Sequence, residues 1–159
     1  MAKSLPIVKR EYYRAMAVDY AKSWIGTPYT YGGDDFHSLD CSGLIIEIFK
    51  GIGIFKENED YTADALFWKY QTKRIYGLPY AGCLVFWLNR SRKATHVAMM
   101  IDNFFLIHAA GGGPKTKTLE DAIRDNAYVK MRELHEIVEF RKKNYDQDYA
   151  VIDPFLEIK

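Results

Sequence analysis

Residues 39–54 read LDCSGLIIEIFKGIGI, a cysteine set between an acid and a serine and then an apolar run at helical spacing. A structural thiol would sit comfortably inside the apolar run. Cys41 instead falls where a helix begins, since Asp40 is a good N-cap residue and Gly51 and Gly53 are suited to ending the helix. In a helix's first turn a thiol meets unpaired backbone N–H groups and the positive end of the dipole, both of which favour thiolate. The expectation is a reactive Cys41 that alkylates quickly near pH ~6–7, where an ordinary thiol of pKa about 8.5 is sluggish.

The chain around it is ordinary in most respects. Its 159 residues suffice for one domain, 1–159, with its own core and no need of disulfide or metal staples. Basic and acidic residues balance, 22 against 21, with no long basic run, so nucleic acid is not an expected partner. Aromatic residues are abundant, at 15% with 12 tyrosines, and either fill the core and its rim or line a carbohydrate or peptide groove. The two cysteines, Cys41 and Cys83, sit in dissimilar contexts without framework spacing. The first twenty residues lack the apolar stretch of a signal peptide, and no segment reaches membrane-spanning length. The expectation is therefore a soluble protein made in the cytoplasm, with no membrane partner.

The hydrophobic pattern divides the chain. Residues 9–25 predict an amphipathic helix, with Tyr13, Met16, Ala17, Tyr20, Ala21 and Trp24 on one face. A turn-rich loop, GTPYTYGGDDFHSLD, leads to the second helix, and YTADALFWKYQ predicts a third. From Gly82 the runs CLVFWL, HVAMMI and FFLIHA read as antiparallel strands; TLED at Thr118–Asp121 fits a capping box, AYVKM and LHEIVEF read as closing strands, and DYAVIDPFLEIK is ambiguous. Helices followed by a sheet make the fold class α+β.

A thiolate nucleophile needs a base within reach, and the base needs an orienting group. Of the four histidines, His37 lies in the glycine-rich loop as a solvated residue, and His135 falls in the last predicted strand, exposed or packed. His96 and His108 flank a single predicted hairpin, HVAMMIDNFFLIH. Faces alternate along a strand, so these two positions share a face only if the connecting loop has an odd number of residues. A three-residue turn at Asp102–Phe104 places His108 opposite Ala98 and diagonal to His96; a two-residue Asp-Asn turn sends them to opposite faces. A zinc set of Cys41, Cys83, His96 and His108 is the competing reading, but no CxxC, HxxxH or HExxH spacing supports it, and neither metal nor cofactor is expected.

With GTPYTYGG, LDCSGLIIEIFKGIGI, AGCLVFW and HVAMMIDNFFLIHAAGGG in this order and spacing, the chain resembles the NlpC-type cysteine peptidases, bacterial cell-wall endopeptidases with a compact papain-like core. The resemblance runs from about residue 10 to about residue 140, leaving 141–159 as a C-terminal tail. It implies that Cys41 is the nucleophile, His96 the general base and His108 the orienting residue. It further implies that Tyr29 helps stabilise the oxyanion, and that Asp40 and Ser42 bind the substrate's amine and backbone. The implied substrate is a γ-D-glutamyl to diamino-acid bond in a peptidoglycan stem peptide or muropeptide, cleaved through a thioester. The same triad also serves amidases and acyltransferases, and a catalytically idle phage-tail assembly protein is the non-enzymatic reading.

Three departures from the family pattern carry expectations of their own. Asp102-Asn103-Phe104 replaces the usual Gly-Asn-Gly turn, which predicts that Asn103 takes the left-handed position. Ala81-Gly82-Cys83 replaces Pro-Gly-Asp, which makes Cys83 a small buried filler near the start of the sheet, with a second thiol near the site as the other reading. Without an export signal, the expected routes are delivery to the wall by a phage particle or lysis, with partners from a tail or lysis complex, or action in the cytoplasm on muropeptides.

Overall fold

The computed structural model describes residues 5–35 and 38–156. Helix α1 (Leu5–Ser23) is followed by the short hairpin β1 (Asp34–Asp35) and β2 (Ser38–Leu39), then α2 (Cys41–Gly51) and α3 (Ala63–Tyr70). A 3₁₀ turn leads to β3 (Arg74–Ile75), β4 (Leu84–Leu88), β5 (Ala94–Met100) and β6 (Phe105–Ala110). The chain ends with α4 (Leu119–Arg124), β7 (Tyr128–Glu133), α5 (Leu134–Tyr145) and β8 (Asp148–Ile152). The main sheet has six strands in the order β3-β8-β4-β5-β6-β7, all its pairs antiparallel. Among the described residues no helix is long and apolar enough to cross a membrane.

Helix α2 is the centre of the molecule. Leu44, Ile45, Ile46, Ile48 and Phe49 are all buried, so the helix is apolar nearly all round, as a helix walled in on several sides must be. Phe49 meets the rings of Phe55, Tyr70 and Phe155 at centroid distances of 5.1, 6.1 and 5.7 Å, which joins α2 to the loop after it, to α3 and to the segment after β8. On this side of the sheet Leu84, Phe86, Val97, Met99, Ile107 and Val129 complete the core. The opposite face carries Cys83, Val85, Trp87, Ala98, Met100 and Leu106, roofed by Leu134, Ile137 and Val138 of α5.

That roof corrects one expectation. LHEIVEF is the first half of α5, not a strand. Its β-branched and aromatic content resembles a strand, but Leu134, Ile137 and Val138 recur at the i, i+3, i+4 spacing that lays one helical face on the sheet. His135 consequently points to solvent and pairs with Glu139 at 3.1 Å. The ambiguous tail supplies β8, an interior strand paired with both β3 and β4. It is pinned by Asp153, fully buried, which accepts from Arg14 of α1, from the Tyr80 hydroxyl at 2.5 Å and from the Phe155 N–H at 2.9 Å. His37 lies outside the described residues.

The β5–β6 turn has the expected odd length. Met99 pairs with Ile107, Met100 with Leu106, and the Ile101 N–H reaches the Phe105 carbonyl, which leaves Asp102–Phe104 as the loop. Asn103 does not take a left-handed conformation, since the non-glycine residues with positive φ are Arg92, Asn126 and Asp146. The Asp102 carboxylate closes the turn instead, accepting from the N–H groups of Phe104 and Phe105 at 2.7 Å each, while the Asn103 amide donates to the Pro79 carbonyl at 2.8 Å. A side chain that satisfies the turn's own N–H groups removes the need for positive φ.

Because Phe49 is the meeting point of three segments, Phe49→Ala is expected to destabilise the protein by roughly 3–5 kcal/mol, as large-to-small changes at buried aromatics do. Equilibrium urea unfolding measures this, and a loss under about 1 kcal/mol would show that the surrounding rings close the cavity.

Candidate active site

The site begins with the cap of α2. The Asp40 carboxylate accepts from the Gly43 N–H at 2.7 Å and from the Ser42 hydroxyl at 3.2 Å, and its other oxygen accepts from the Gly32 N–H at 3.2 Å. The Asp40 N–H in turn donates to the Gly33 carbonyl at 2.9 Å. The glycine-rich loop is thus docked on the helix start, which explains the glycine at 43. A Cβ there would come within 2.1 Å of the Gly33 carbonyl oxygen. Leu39 and Tyr29, bridged to each other, carry the same loop across to β7 through the Tyr29 N–H bond to Ala127 at 3.0 Å.

Cys41 then meets the sheet where two strands part. The β5–β6 ladder stops at Met99–Ile107, although both strands continue past it. Along β5 the Met100 N–H bonds toward β4 and the Ile101 N–H toward β6, so the N–H of Val97 faces the opened gap. The Cys41 sulfur lies against that N–H and against the N–H of Ser42. Tyr29 is close enough for charge on Cys41 to act on its phenol, which burial and this neighbour hold well above the ordinary tyrosine range.

The two histidines meet as the odd loop requires. His96 Nε2 and His108 Nδ1 are 2.8 Å apart, with both residues buried. His96 stands directly across from Trp87, whose ring is 5.5 Å from the imidazole. His108 stands across from Lys130, whose ammonium donates to the Asn126 carbonyl at 2.9 Å and lies 4.1 Å from the Tyr128 ring centroid. Arg141 of α5 stacks over Trp87, its guanidinium carbon 5.7 Å from the ring centroid. The sequence gives no direct sign of Arg141, because reading its helix as a strand hides that Arg141 follows Leu134, Ile137 and Val138 at i+7.

Burial reverses the expected electrostatics. The helix start and the Val97 and Ser42 N–H groups favour thiolate, but burial and the neighbouring Asp40 carboxylate outweigh them and push the Cys41 thiol up to about 11. Burial pushes His96 well below the usual imidazole range and His108 down to about 3, with Arg141 acting on both and Lys130 and Arg132 on His108.

An open cleft of ≈ 520 Å³ lies at the Cys41 end of the site, lined by Cys41, Asp40, Ser42, Tyr31, Asp60, Tyr61 and the β5 start at Lys93–Thr95, among others. A more apolar groove of ≈ 400 Å³ lies beside the 102–104 turn, at the other end of β5. Cys83 is fully buried among Val85, Ala98 and Met100 at that same far end, a packing residue rather than a second thiol of the site. Among the described residues no group of three or more His, Cys, Asp or Glu is placed to hold a metal ion.

The lowered histidines make a stability prediction. A histidine kept neutral by the fold contributes stability that is complete above its unfolded pKa, about 6.5, and is lost as pH falls from there toward the folded value. Thermal melts should show Tm falling between pH ~7 and ~5, where most carboxylates remain ionised in both states. His108→Asn should flatten that fall; an equally steep fall in the variant would show that the acid sensitivity has another source.

The sequence profile of the NlpC/P60 family matches residues 26–133. A probable peptidoglycan endopeptidase, LytE of Bacillus subtilis (strain 168), is 29% identical over 117 residues, covering 74% of this chain and 32% of that protein. The chain thus spans about a third of the length of that relative. Among solved structures, the NlpC/p60 domain of the peptidoglycan hydrolase SagA superposes with a TM-score of 0.57 at 24% identity, over 87% of this chain and 97% of that one. The P60 domain of an antigen from M. avium subspecies paratuberculosis gives a TM-score of 0.66 at 16% identity, over 92% and 98%. The peptidoglycan hydrolase RipB of Mycobacterium tuberculosis gives 0.63 at 16%, over 96% and 67%. The likeness in fold and the profile match across most of the chain lead to one conclusion: the protein belongs to the NlpC/P60 family.

Proposed function

We propose that the chain is a cysteine endopeptidase that hydrolyses γ-D-glutamyl to diamino-acid bonds of peptidoglycan stem peptides. The observation that carries this reading is the 2.8 Å His96–His108 bond on the strand pair whose gap receives the Cys41 sulfur. The peptidoglycan-directed activities named for LytE, SagA and RipB support the substrate class.

The chemistry follows from the protonation states. His96 bonds His108 through Nε2, which leaves Nδ1 to take the thiol proton. For Nδ1 to accept, Nε2 must carry hydrogen and donate it to His108 Nδ1, so His108 holds its own proton on Nε2. His96 takes the thiol proton as general base while the sulfur attacks. Cys41 Sγ bonds to the amide carbon, the proton passes to His96, and the imidazolium returns it to the leaving amine. Water, deprotonated by the same imidazole, then hydrolyses the thioester and releases the γ-glutamyl carboxylate. Backbone N–H at the start of α2 and the Tyr29 hydroxyl are the donors for the tetrahedral oxyanion. Asp40 and Ser42, both lining the cleft, are the groups for the substrate's free amine. The Asp40 carboxylate already accepts three hydrogen bonds, which fixes its orientation before substrate arrives.

Incubation of L-Ala-γ-D-Glu-diaminopimelate with the protein, read by mass spectrometry, should show free diaminopimelate. Cys41→Ala should abolish its release while leaving the melt unchanged, His96→Ala should slow it by about 10²–10⁴, and His108→Ala should retain residual turnover. Release by Cys41→Ala at the wild-type rate would remove the nucleophile assignment, and no release by wild type would move the substrate to another acyl compound.

A further inference from the structure

The cleft at Cys41 carries its charges unevenly. Asp40 and Asp60 both line it. Among its described lining residues the only cation is Lys93, exposed just ahead of β5 and with no ion-pair partner among the described residues. A peptide held there by its amine on Asp40 still has carboxylates to place, and two aspartates repel them. The backbone of Lys93 is fixed although its ammonium is unpaired. Its N–H donates to Asn89 Oδ1 at 3.0 Å and its carbonyl accepts from the Asn89 N–H at 2.9 Å, which closes the 89–93 turn. The next N–H, that of Ala94, donates to Asp64 of α3 at 2.9 Å. A β-bulge follows: Trp87 pairs with His96 and Leu88 with Ala94, which leaves Thr95 unpaired and exposed at the cleft. Bulges re-aim the side chains around them. The buried Gln147, the residue before β8, donates its amide to the Thr95 hydroxyl at 2.6 Å and holds the bulge in place.

We infer that Lys93 is the carboxylate-recognising residue of the cleft, a specificity determinant that pairs with a free carboxylate beside the scissile amide. The inference rests on the reading of Cys41 as the nucleophile of a stem-peptide endopeptidase. Lys93 and Cys41 line the same cleft, and the reach between them fits. The Cys41 sulfur lies against the Val97 N–H. Four residues of strand from Val97 back to Lys93 span roughly 13 Å. A lysine stem carries its ammonium about 6 Å from its own Cα. In a γ-glutamyl peptide the α-carboxylate stands four bonds from the attacked carbonyl carbon, about 5 Å. The diamino-acid carboxylate next to the scissile nitrogen stands about 4 Å from that carbon. Both present the same chemistry, an anion within reach of an ammonium on the cleft rim. An amidated residue offers Lys93 no charge to pair.

The test compares L-Ala-γ-D-Glu-diaminopimelate with two amidated forms, one at the glutamyl α-carboxylate and one at the diamino-acid carboxylate next to the scissile nitrogen. Lys93→Met should raise KM for the first peptide about fivefold with kcat within about twofold, the pattern of binding lost equally from ground and transition states. Amidating the carboxylate that Lys93 reads should raise the wild-type KM by the same factor, and on that peptide Lys93→Met should change KM no further. Which amide behaves so identifies the carboxylate. Lys93→Arg should keep the wild-type preference, since the charge remains. An unchanged KM in Lys93→Met, or a rise of equal size on all three peptides, overturns the inference. A second measurement needs no turnover: the rates at which iodoacetate and iodoacetamide alkylate Cys41 at pH ~8.5, where lysine is still charged, read by peptide mapping so that Cys83 does not contribute. Lys93→Met should slow iodoacetate about threefold relative to iodoacetamide, and an unchanged ratio overturns the inference. If the wild type cleaves none of the tripeptides, the substrate reading falls, and the alkylation ratio alone decides whether Lys93 draws carboxylates to the sulfur.

Discussion

The site depends on one carboxylate. Asp40 caps α2, and in doing so binds Gly32 of the preceding loop and the Ser42 hydroxyl of the following turn. A capping residue ordinarily satisfies an orphan N–H for about 1 kcal/mol. Here the same cap fixes three backbone segments relative to one another: the glycine loop, the helix start and, through Tyr29 and Leu39, the edge of β7. The helix it starts is the core of the molecule, so the position of Cys41 is inherited from the best-packed element in the chain. A nucleophile on a mobile loop would lack that precision.

The second constraint is the place where β5 and β6 separate. A thiol at the end of a helix on one face of a sheet does not ordinarily meet a histidine that faces the other way. Val97 and Met99 belong to the α2 side and His96 to the α5 side. The ladder opens beyond Met99–Ile107, and the thiol enters the gap toward the Val97 N–H. The histidines bridge the same gap from the other face at 2.8 Å. Burial at this junction has a cost, which is that desolvation raises the Cys41 thiol and lowers the His96 imidazole. Desolvation thus opposes what the helix start and the backbone N–H groups favour at the thiol.

Much of this was legible in the sequence, for identifiable reasons. Asp40 and Cys41 announced the helix start because capping is local chemistry. Thr118 and Asp121 announced the capping box, which the structure contains in both directions. The parity of the His96–His108 hairpin followed from strand geometry and a loop of three residues. What could not be read was set by tertiary context. The thiol's protonation depends on burial by segments far away in sequence. The turn conformation depends on Asp102 outcompeting a left-handed Asn103. The helix at Leu134 was hidden because Ile137, Val138 and Phe140 are strand formers by propensity, and only the sheet face waiting beneath them selects the helical period. Arg141 was lost along with that helix.

The residues that were hardest to read also lie outside the family match, and they are not peripheral. Strand β8 pairs with β4 and β3 inside the sheet, and Asp153 just after it ties the end of the chain to α1 through Arg14. Helix α5 covers Trp87 and the face that carries both histidines. The matched residues 26–133 therefore hold Cys41, His96 and His108, but not the strand that gives β4 its second neighbour or the helix that covers Trp87. Residues 134–153 thus complete the sheet beside β4 and roof the face that carries the two histidines, which makes them part of the packing on which the candidate site stands.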